Sequence, residues 1–186
     1  DASVARAVEK RRREYAWGRS VAREALARLG GPRVPLPRRP DRRPIWPEGY
    51  TGSISHCVDV CAALAARTRS WAAVGLDVET SEPLELDLVH LVMTARERRR
   101  LGEDGVQAKR IFVAKEAYYK AQFPGTETLL EFCDVELELD GPRFRATCGR
   151  TGLGPLDGRL VEVGAHLWAW VGVPSRVADP TRYTSR

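Results

Sequence analysis

The stretch from Pro32 to Gly49 constrains this chain more than any other. Its prolines at 32, 35, 37, 40, 44 and 47 fix φ and remove backbone donors. That segment can be neither a regular helix nor a central strand, so it must separate the regular structure on its N-terminal side from that on its C-terminal side. Upstream, Val4, Val8, Tyr15, Val21, Ala25 and Leu29 recur near helical spacing among many arginines, and Gly30-Gly31 stops the run. The spacing predicts one basic amphipathic helix over residues 3–29. The arm after it is short, rich in arginine and holds large apolar residues. It is expected to lie ordered on the core, with Trp46 as its anchor.

The chain has 186 residues and 43% of them are hydrophobic, enough for one domain or two small lobes sharing a core. No run of about 18 apolar residues is present, so a membrane span is not expected. The opening DASVARAVEKRRRE is charged from its first residue and predicts no secretory signal, although no initiator Met begins it. The net charge is +5, and among 30 basic residues only Lys10, Lys109, Lys115 and Lys120 are lysines. Arginine is the better fork for phosphates and carboxylates, although a GC-rich genome produces the same excess. A basic balance suggests an anionic partner: nucleic acid, a phosphorylated small molecule or an acidic protein. Cys57, Cys61, Cys133 and Cys148 form no C-x-x-C pair. His56, Cys57 and Cys61 are close together, but without further ligands at ordered spacing they do not predict zinc. The thiols read as reduced, mostly buried residues of a cytoplasmic protein.

Beyond Thr51 the pattern changes. Val60–Arg67 and Trp71–Glu79 flank the polar turn 67–70 and predict a hairpin. In the second strand Val74, Leu76 and Val78 face one way, and Gly75, Asp77 and Glu79 the other. Thr94 with Glu97 three places on is a capping box for a helix over 94–101. A longer helix over 107–122 is expected to stop before Pro124-Gly125, with Ala108, Ile111, Phe112 and Tyr119 buried and Lys115, Glu116 and Lys120 on an adjacent face. Four more strands come after it, over 135–139, 144–148, 159–163 and 165–173, and a polar tail after Pro174 is expected to fray.

Asp77 and Glu79 emerge on one strand face, roughly 6.5–7 Å apart at Cα. Two such carboxylates repel unless a cation lies between them or water solvates them, and a hard divalent ion such as Mg²⁺ suits them. On the helix, Glu116 is a third carboxylate, and Lys115 and Lys120 could bracket a polyphosphate. A plain i,i+4 ion pair is the alternative. His56, after the small residues Ser53 and Ser55, could meet a phosphate oxygen or be a structural histidine.

Taken in order, GSISHC, AVGLDVE and FVAKEAYYKA resemble the 4′-phosphopantetheinyl transferase superfamily. Together with the preceding RRPIWPEGYT, they look like the branch of enterobactin-synthetase component D and the surfactin-synthetase activators. The resemblance runs from about Lys10 to about Pro124. It implies an α/β (α+β) fold of two pseudo-twofold halves, each with a long helix on a small, mostly antiparallel sheet. The halves would be 1–72, with the basic helix and arm, and 73–186, with the acidic strand and the Lys-Glu-Ala helix, forming one compact unit.

The implied reaction moves the 4′-phosphopantetheine arm of coenzyme A to a serine of an acyl, peptidyl or aryl carrier protein and releases adenosine 3′,5′-bisphosphate. It needs Mg²⁺ or Mn²⁺. By the resemblance, Asp77, Glu79 and Glu116 hold the metal, and His56, with Ser55 beside it, holds the pyrophosphate. Lys115 and Lys120 match the helix-motif lysines, and Glu97 matches a further acid. Arg19 and Arg43 match coenzyme A contacts. Glu116 is the first choice for the base that accepts the serine proton, directly or through water, with Lys120 keeping it ionised; Glu97 is second. The chain departs from the family at Phe112, where Trp is usual, and at Arg11–Arg13, where lysines are frequent. A basic surface suits acidic carrier proteins. A monomer is expected, and nucleic acid is not an expected partner. The alternative functions are an Arg-rich nucleic-acid-binding module, for which no recognised motif exists, and a metal-dependent phosphohydrolase using the same acids.

Overall fold

The computed structural model describes residues 2–175, apart from the side chains of residues 2–7 and 10. Helix α1 (Ala2–Arg28) ends at Gly30, where φ is +70°. Among its described side chains Gly18, Ala22 and Leu26 are buried, while Val8 and Tyr15 of the expected apolar stripe are exposed. Val4 and the tail from residue 176 lie outside the described side chains and residues.

The arm returns across α1 as an ordered segment. Leu36 is its deepest residue, packed with Ala22 and Leu26. Trp46 packs on Gly52, where a Cβ would overlap the indole, so the expected anchor is present. The arm is not uniformly extended. Arg38 and Pro44 form a β-bridge around a tight turn in which Arg42 has φ +72°, and the Ile45 N–H donates to the Pro37 carbonyl over 2.8 Å.

Strands β1 (Tyr50–His56) and β2 (Cys61–Arg67) form a two-stranded antiparallel hairpin beneath α1. Strand β3 (Trp71–Thr80) begins the second sheet and pairs with the strand His166–Pro174, so the expected hairpin of 60–67 with 71–79 does not form; β2 pairs with β1 instead. Its order is β3-β7-β6-β5-β4, all antiparallel, with β4 (Glu136–Asp140), β5 (Arg143–Thr147), β6 (Leu156–Val163) and β7 (His166–Pro174). Short helices α2 (Val89–Val92) and α3 (Ala95–Leu101) lead into α4 (Gly105–Thr126). Each half therefore pairs a long helix with an antiparallel sheet.

Alternation along β3 is as expected, but both faces are covered. Leu76 and Val78 pack against β2 residues and Trp168. The opposite face, with Gly75, meets α4 so closely that a Cβ at Gly75 would overlap the Ala117 carbonyl oxygen and crowd the Ala121 N–H. Glycine is required at this position because the helix and strand backbones touch.

Helix α4 differs from its predicted form in two ways. It continues through Pro124 to Thr126, because a proline in the last turn forfeits one hydrogen bond while the end is held by others. The Gln122 side chain donates to the Thr128 carbonyl over 2.9 Å, and Glu127, at φ +50°, donates to the Phe123 carbonyl. It is also buried over most of its circumference. Val113, Ala114, Ala117, Tyr118 and Ala121 are in the core, whereas Phe112 and Tyr119 are only half-buried.

Gly75→Ala is expected to force α4 off β3 and to cost roughly 3 kcal/mol. Urea unfolding checks this; a midpoint equal to wild type would mean the two backbones are not in contact there.

Candidate active site

The acids sit where β3 passes under α4. Asp77 is buried, and its Oδ1 accepts from Ser55 Oγ over 2.7 Å and from Lys120 Nζ over 2.6 Å. Ser55 also accepts from Lys120 Nζ at 3.1 Å and from the Val78 N–H at 3.3 Å, which fixes β1 against the edge of β3. Two residues along, Glu79 Oε2 accepts from Lys109 Nζ over 3.0 Å. Glu116 and Lys120 share a face of α4 one turn apart. Glu116 feels the charges of Asp77, Lys120 and Glu79 together. The structure thus gathers Ser55, Asp77, Glu79, Glu116 and Lys120 from three elements, β1, β3 and α4.

Burial is the first influence on Glu116 and raises its pKa above the ordinary 4.5. The Asp77 charge adds to this, Lys120 opposes it, and Glu79 adds again. Lys120 therefore does not simply keep Glu116 ionised, as its spacing along the helix suggested. It is bonded to Asp77, and Glu116 emerges as a more basic carboxylate than usual. A pocket of about 190 Å³ lined by Glu116, Tyr119, Leu130 and Phe132 gives it an open side. A cavity of about 750 Å³ on the other face of the sheet, with Trp71, Arg145, Arg159 and Trp170 in its wall, lies away from the acids.

The donor set fits a hard divalent cation. Three carboxylates face one junction, and Asp77 Oδ2 is buried with no hydrogen-bond partner. Their oxygens are not yet gathered around one point. One oxygen from each of Asp77, Glu79 and Glu116 does not come within 4.8 Å of the other two. Instead Lys120 and Lys109 draw Asp77 and Glu79 onto their own ammonium groups. An ion would have to compete with Lys120 for Asp77.

Glu97 and Lys115, expected as a base and a coenzyme A contact, are bound to each other and not to Asp77, Glu79 or Lys120, although Lys115 also lines the Glu116 pocket. They form a 2.8 Å ion pair with side chains 0% and 1% exposed. Every oxygen of Glu97 is used: Oε2 takes Lys115 Nζ and the Thr94 N–H, and Oε1 takes the Leu137 N–H over 2.7 Å. Lys115 donates a second bond to the Val92 carbonyl at 2.9 Å. Burial lowers the Lys115 pKa and Glu97 partly restores it. Glu97 completes the capping box of α3 and ties α3, α4 and β4 together. The capping box was legible in sequence, but the destination of the second oxygen was not.

His56 is exposed at the end of β1, directly after Ser55. Arg19 is buried; its Nε donates to the Leu36 carbonyl over 2.6 Å and its guanidinium lies 4.5 Å from the Tyr15 ring centroid. Arg19 therefore secures the arm to α1. Arg43 is gripped by Asp41 over 2.6 Å and Glu127 over 3.3 Å, and lies 4.9 Å from the Phe123 centroid. Phe123 stacks on Tyr119, whose phenol feels both Arg43 and Glu116. Glu116, Tyr119, Phe123 and Arg43 thus form one ladder along α4. Lys109, Asp41 and Glu127 were not singled out by sequence, because each acts only through a partner set by the folded structure.

This geometry, two acids on a strand facing a lysine and a glutamate on a buried helix, accompanies clear family matches. Residues 1–66 match the 4′-phosphopantetheinyl transferase N-terminal domain, and residues 73–157 match the 4′-phosphopantetheinyl transferase superfamily. The chain belongs to the 4′-phosphopantetheinyl transferase superfamily, and its enzyme class is that of a transferase. It is 39% identical over 179 residues to 4′-phosphopantetheinyl transferase Svp of Streptomyces mobaraensis, covering 90% of this chain and 71% of the relative. It is 36% identical over 141 residues to 4′-phosphopantetheinyl transferase PptT of Mycobacterium tuberculosis, covering 74% of this chain and 62% of the relative. Enterobactin synthase component D of Escherichia coli strain K12 is 32% identical over 126 residues, 64% of this chain and 59% of that protein.

Two outcomes are expected from these charges. A carboxylate whose folded pKa is raised costs stability once ionised. Glu116→Gln should therefore melt higher than wild type at neutral pH without divalent metal, and the gap should close below pH 4.5, where both side chains are neutral. Thermal melts across pH check this, and a Tm below wild type at neutral pH would refute it. Glu97→Gln leaves Lys115 buried without its counter-charge and should lose about 3 kcal/mol in denaturant titration.

Proposed function

We propose that this chain transfers the 4′-phosphopantetheine arm of coenzyme A to a serine hydroxyl of an acyl, peptidyl or aryl carrier protein. The reading rests on the junction of β3 and α4 in a chain of this superfamily, above all on the buried Asp77, whose Oδ1 takes Lys120, whose Oδ2 has no partner and whose charge acts on Glu116. Asp77, Glu79 and Glu116 are the residues that would hold Mg²⁺, or Mn²⁺ in its place. A divalent ion there supplies positive charge to the pyrophosphate oxygens.

The chain's own groups account for the remaining requirements. The serine oxygen forms a bond to the phosphorus that bears the pantetheine arm. The pyrophosphate P–O bond breaks, and adenosine 3′,5′-bisphosphate leaves with the electron pair. The serine proton passes to Glu116, directly or through water. Lys120 supplies charge, and the exposed His56 a hydrogen-bonding ring, to the phosphates. Arg43, at the far end of the α4 ladder, is the basic group assigned to the nucleotide end. Arg19 and Lys115 act one step back: one holds the arm and the other holds α4. Glu97 holds Lys115 and is not assigned the base. The net charge of +5 favours encounter with acidic carrier proteins. The two halves, 1–72 and 73–186, are read as one functional unit, a cytoplasmic monomer.

The test is intact-mass spectrometry of an apo carrier protein incubated with coenzyme A, Mg²⁺ and this protein. The carrier should gain one phosphopantetheine. Asp77→Asn preserves shape and should lower turnover at least about a hundredfold with little change in Tm. Wild-type turnover in that variant would remove Asp77 from the mechanism.

A further inference from the structure

A second group of metal-binding side chains lies outside the acidic junction. We propose that Cys57, Asp59 and His166 form a zinc site that fastens the β1–β2 hairpin to the β6–β7 hairpin. One donor atom from each lies within 4.8 Å of the other two, and among the described residues no other group of His, Cys, Asp or Glu converges in this way. Neither the acidic-site reading nor the proposed transfer reaction contributes to this inference.

The donors come from two rigid turns. Cys57 and Asp59 share the loop of the first hairpin, which is closed by the Cys57 N–H donating to the Val60 carbonyl over 2.9 Å. His166 opens β7, directly opposite Val163 in register, after a two-residue turn in which Gly164 has φ +61°. Its backbone also pairs with Thr80 of β3. His166 is thus held from both sides while its side chain, 15% exposed, reaches Asp59 with Nε2···Oδ1 at 2.8 Å.

The chemistry of the donors selects the ion. A thiolate, an imidazole and a carboxylate form a mixed set that suits Zn²⁺, whereas Mg²⁺ prefers oxygen alone. Tetrahedral zinc with ligands about 2 Å away keeps neighbouring N and O atoms about 3.3 Å apart. The 2.8 Å contact would therefore open by only about half an ångström, and Asp59 is exposed and free to follow. Three protein ligands leave one position for water. The hydrogen bond between His166 and Asp59 joins two of these residues, and the tight 57–60 loop that carries Asp59 presents the Cys57 thiol beside them. His166 lies beyond the segment 73–157 that matches the superfamily, so nothing in that match assigns it a role.

The test uses the whole protein in excess Mg²⁺, so that any site built of oxygen donors alone is not counted as zinc. With Co²⁺ as the probe, the wild type should show thiolate-to-cobalt charge-transfer absorption, and chelator competition should count one tightly held Zn²⁺. Cys57→Ser should abolish that absorption, and Cys61→Ser should keep it. His166→Ala and Asp59→Asn should each weaken zinc at least tenfold, and zinc should raise the Tm of the wild type but not of His166→Ala. Asp59 is exposed, so its variant should fold even if the others do not. Absence of the absorption in the wild type, its survival in Cys57→Ser, its loss in Cys61→Ser, or zinc affinity unchanged in both His166→Ala and Asp59→Asn would each overturn the site.

Discussion

Backbone contact between α4 and β3 governs the rest of this structure. It is possible only because Gly75 has no side chain where the Ala117 carbonyl approaches. The same closeness brings Glu116 and Lys120 down over Asp77 and Glu79, since residues 116, 117 and 120 belong to adjacent turns of the helix. A wider spacing would leave the acids of β3 in solvent and Lys120 without its 2.6 Å contact to Asp77. Packing and chemistry therefore rest on one glycine.

Two lysine–carboxylate pairs on α4 show how burial separates structural from reactive charge. Lys115 and Glu97 are sealed, and their remaining hydrogen-bonding capacity goes to Val92, Thr94 and Leu137. Such a pair specifies geometry because breaking it strands a charge in a dry interior. Lys120 and Asp77 are different: Lys120 is 28% exposed, and one Asp77 oxygen has no partner. A pair with an unsatisfied acceptor and an exposed cation can exchange partners. Residues 115 and 120 look equivalent along the helix, and only their neighbours distinguish them.

The arm joins the two halves at their open edge. Arg19 holds Leu36 from α1, and Arg43 lies on Phe123 of α4, so one proline-rich segment is fastened at both ends. Proline lowers the entropy lost in ordering such a segment. At the opposite edge of the hairpin, the turn carrying Cys57 and Asp59 meets the turn carrying His166. The small N-terminal hairpin is thus contacted at β3, at the arm and at the β6–β7 turn.

Local pattern alone determined a good deal: the basic helix and its glycine stop, the proline arm with Trp46, the alternating strand with Asp77 and Glu79, the capping box at Thr94 and the strands of the C-terminal sheet. Each of these depends on neighbours within a turn or a strand repeat, which is what sequence periodicity records. The tertiary structure decided what those neighbours meet. It sent Glu97 and Lys115 into the core, made Arg19 a clamp, carried α4 through Pro124 and raised the pKa of Glu116. It also brought His166 to Cys57 and Asp59 across more than a hundred residues. Burial and the dielectric around a charge depend on contacts remote in sequence, so no local pattern could have carried them.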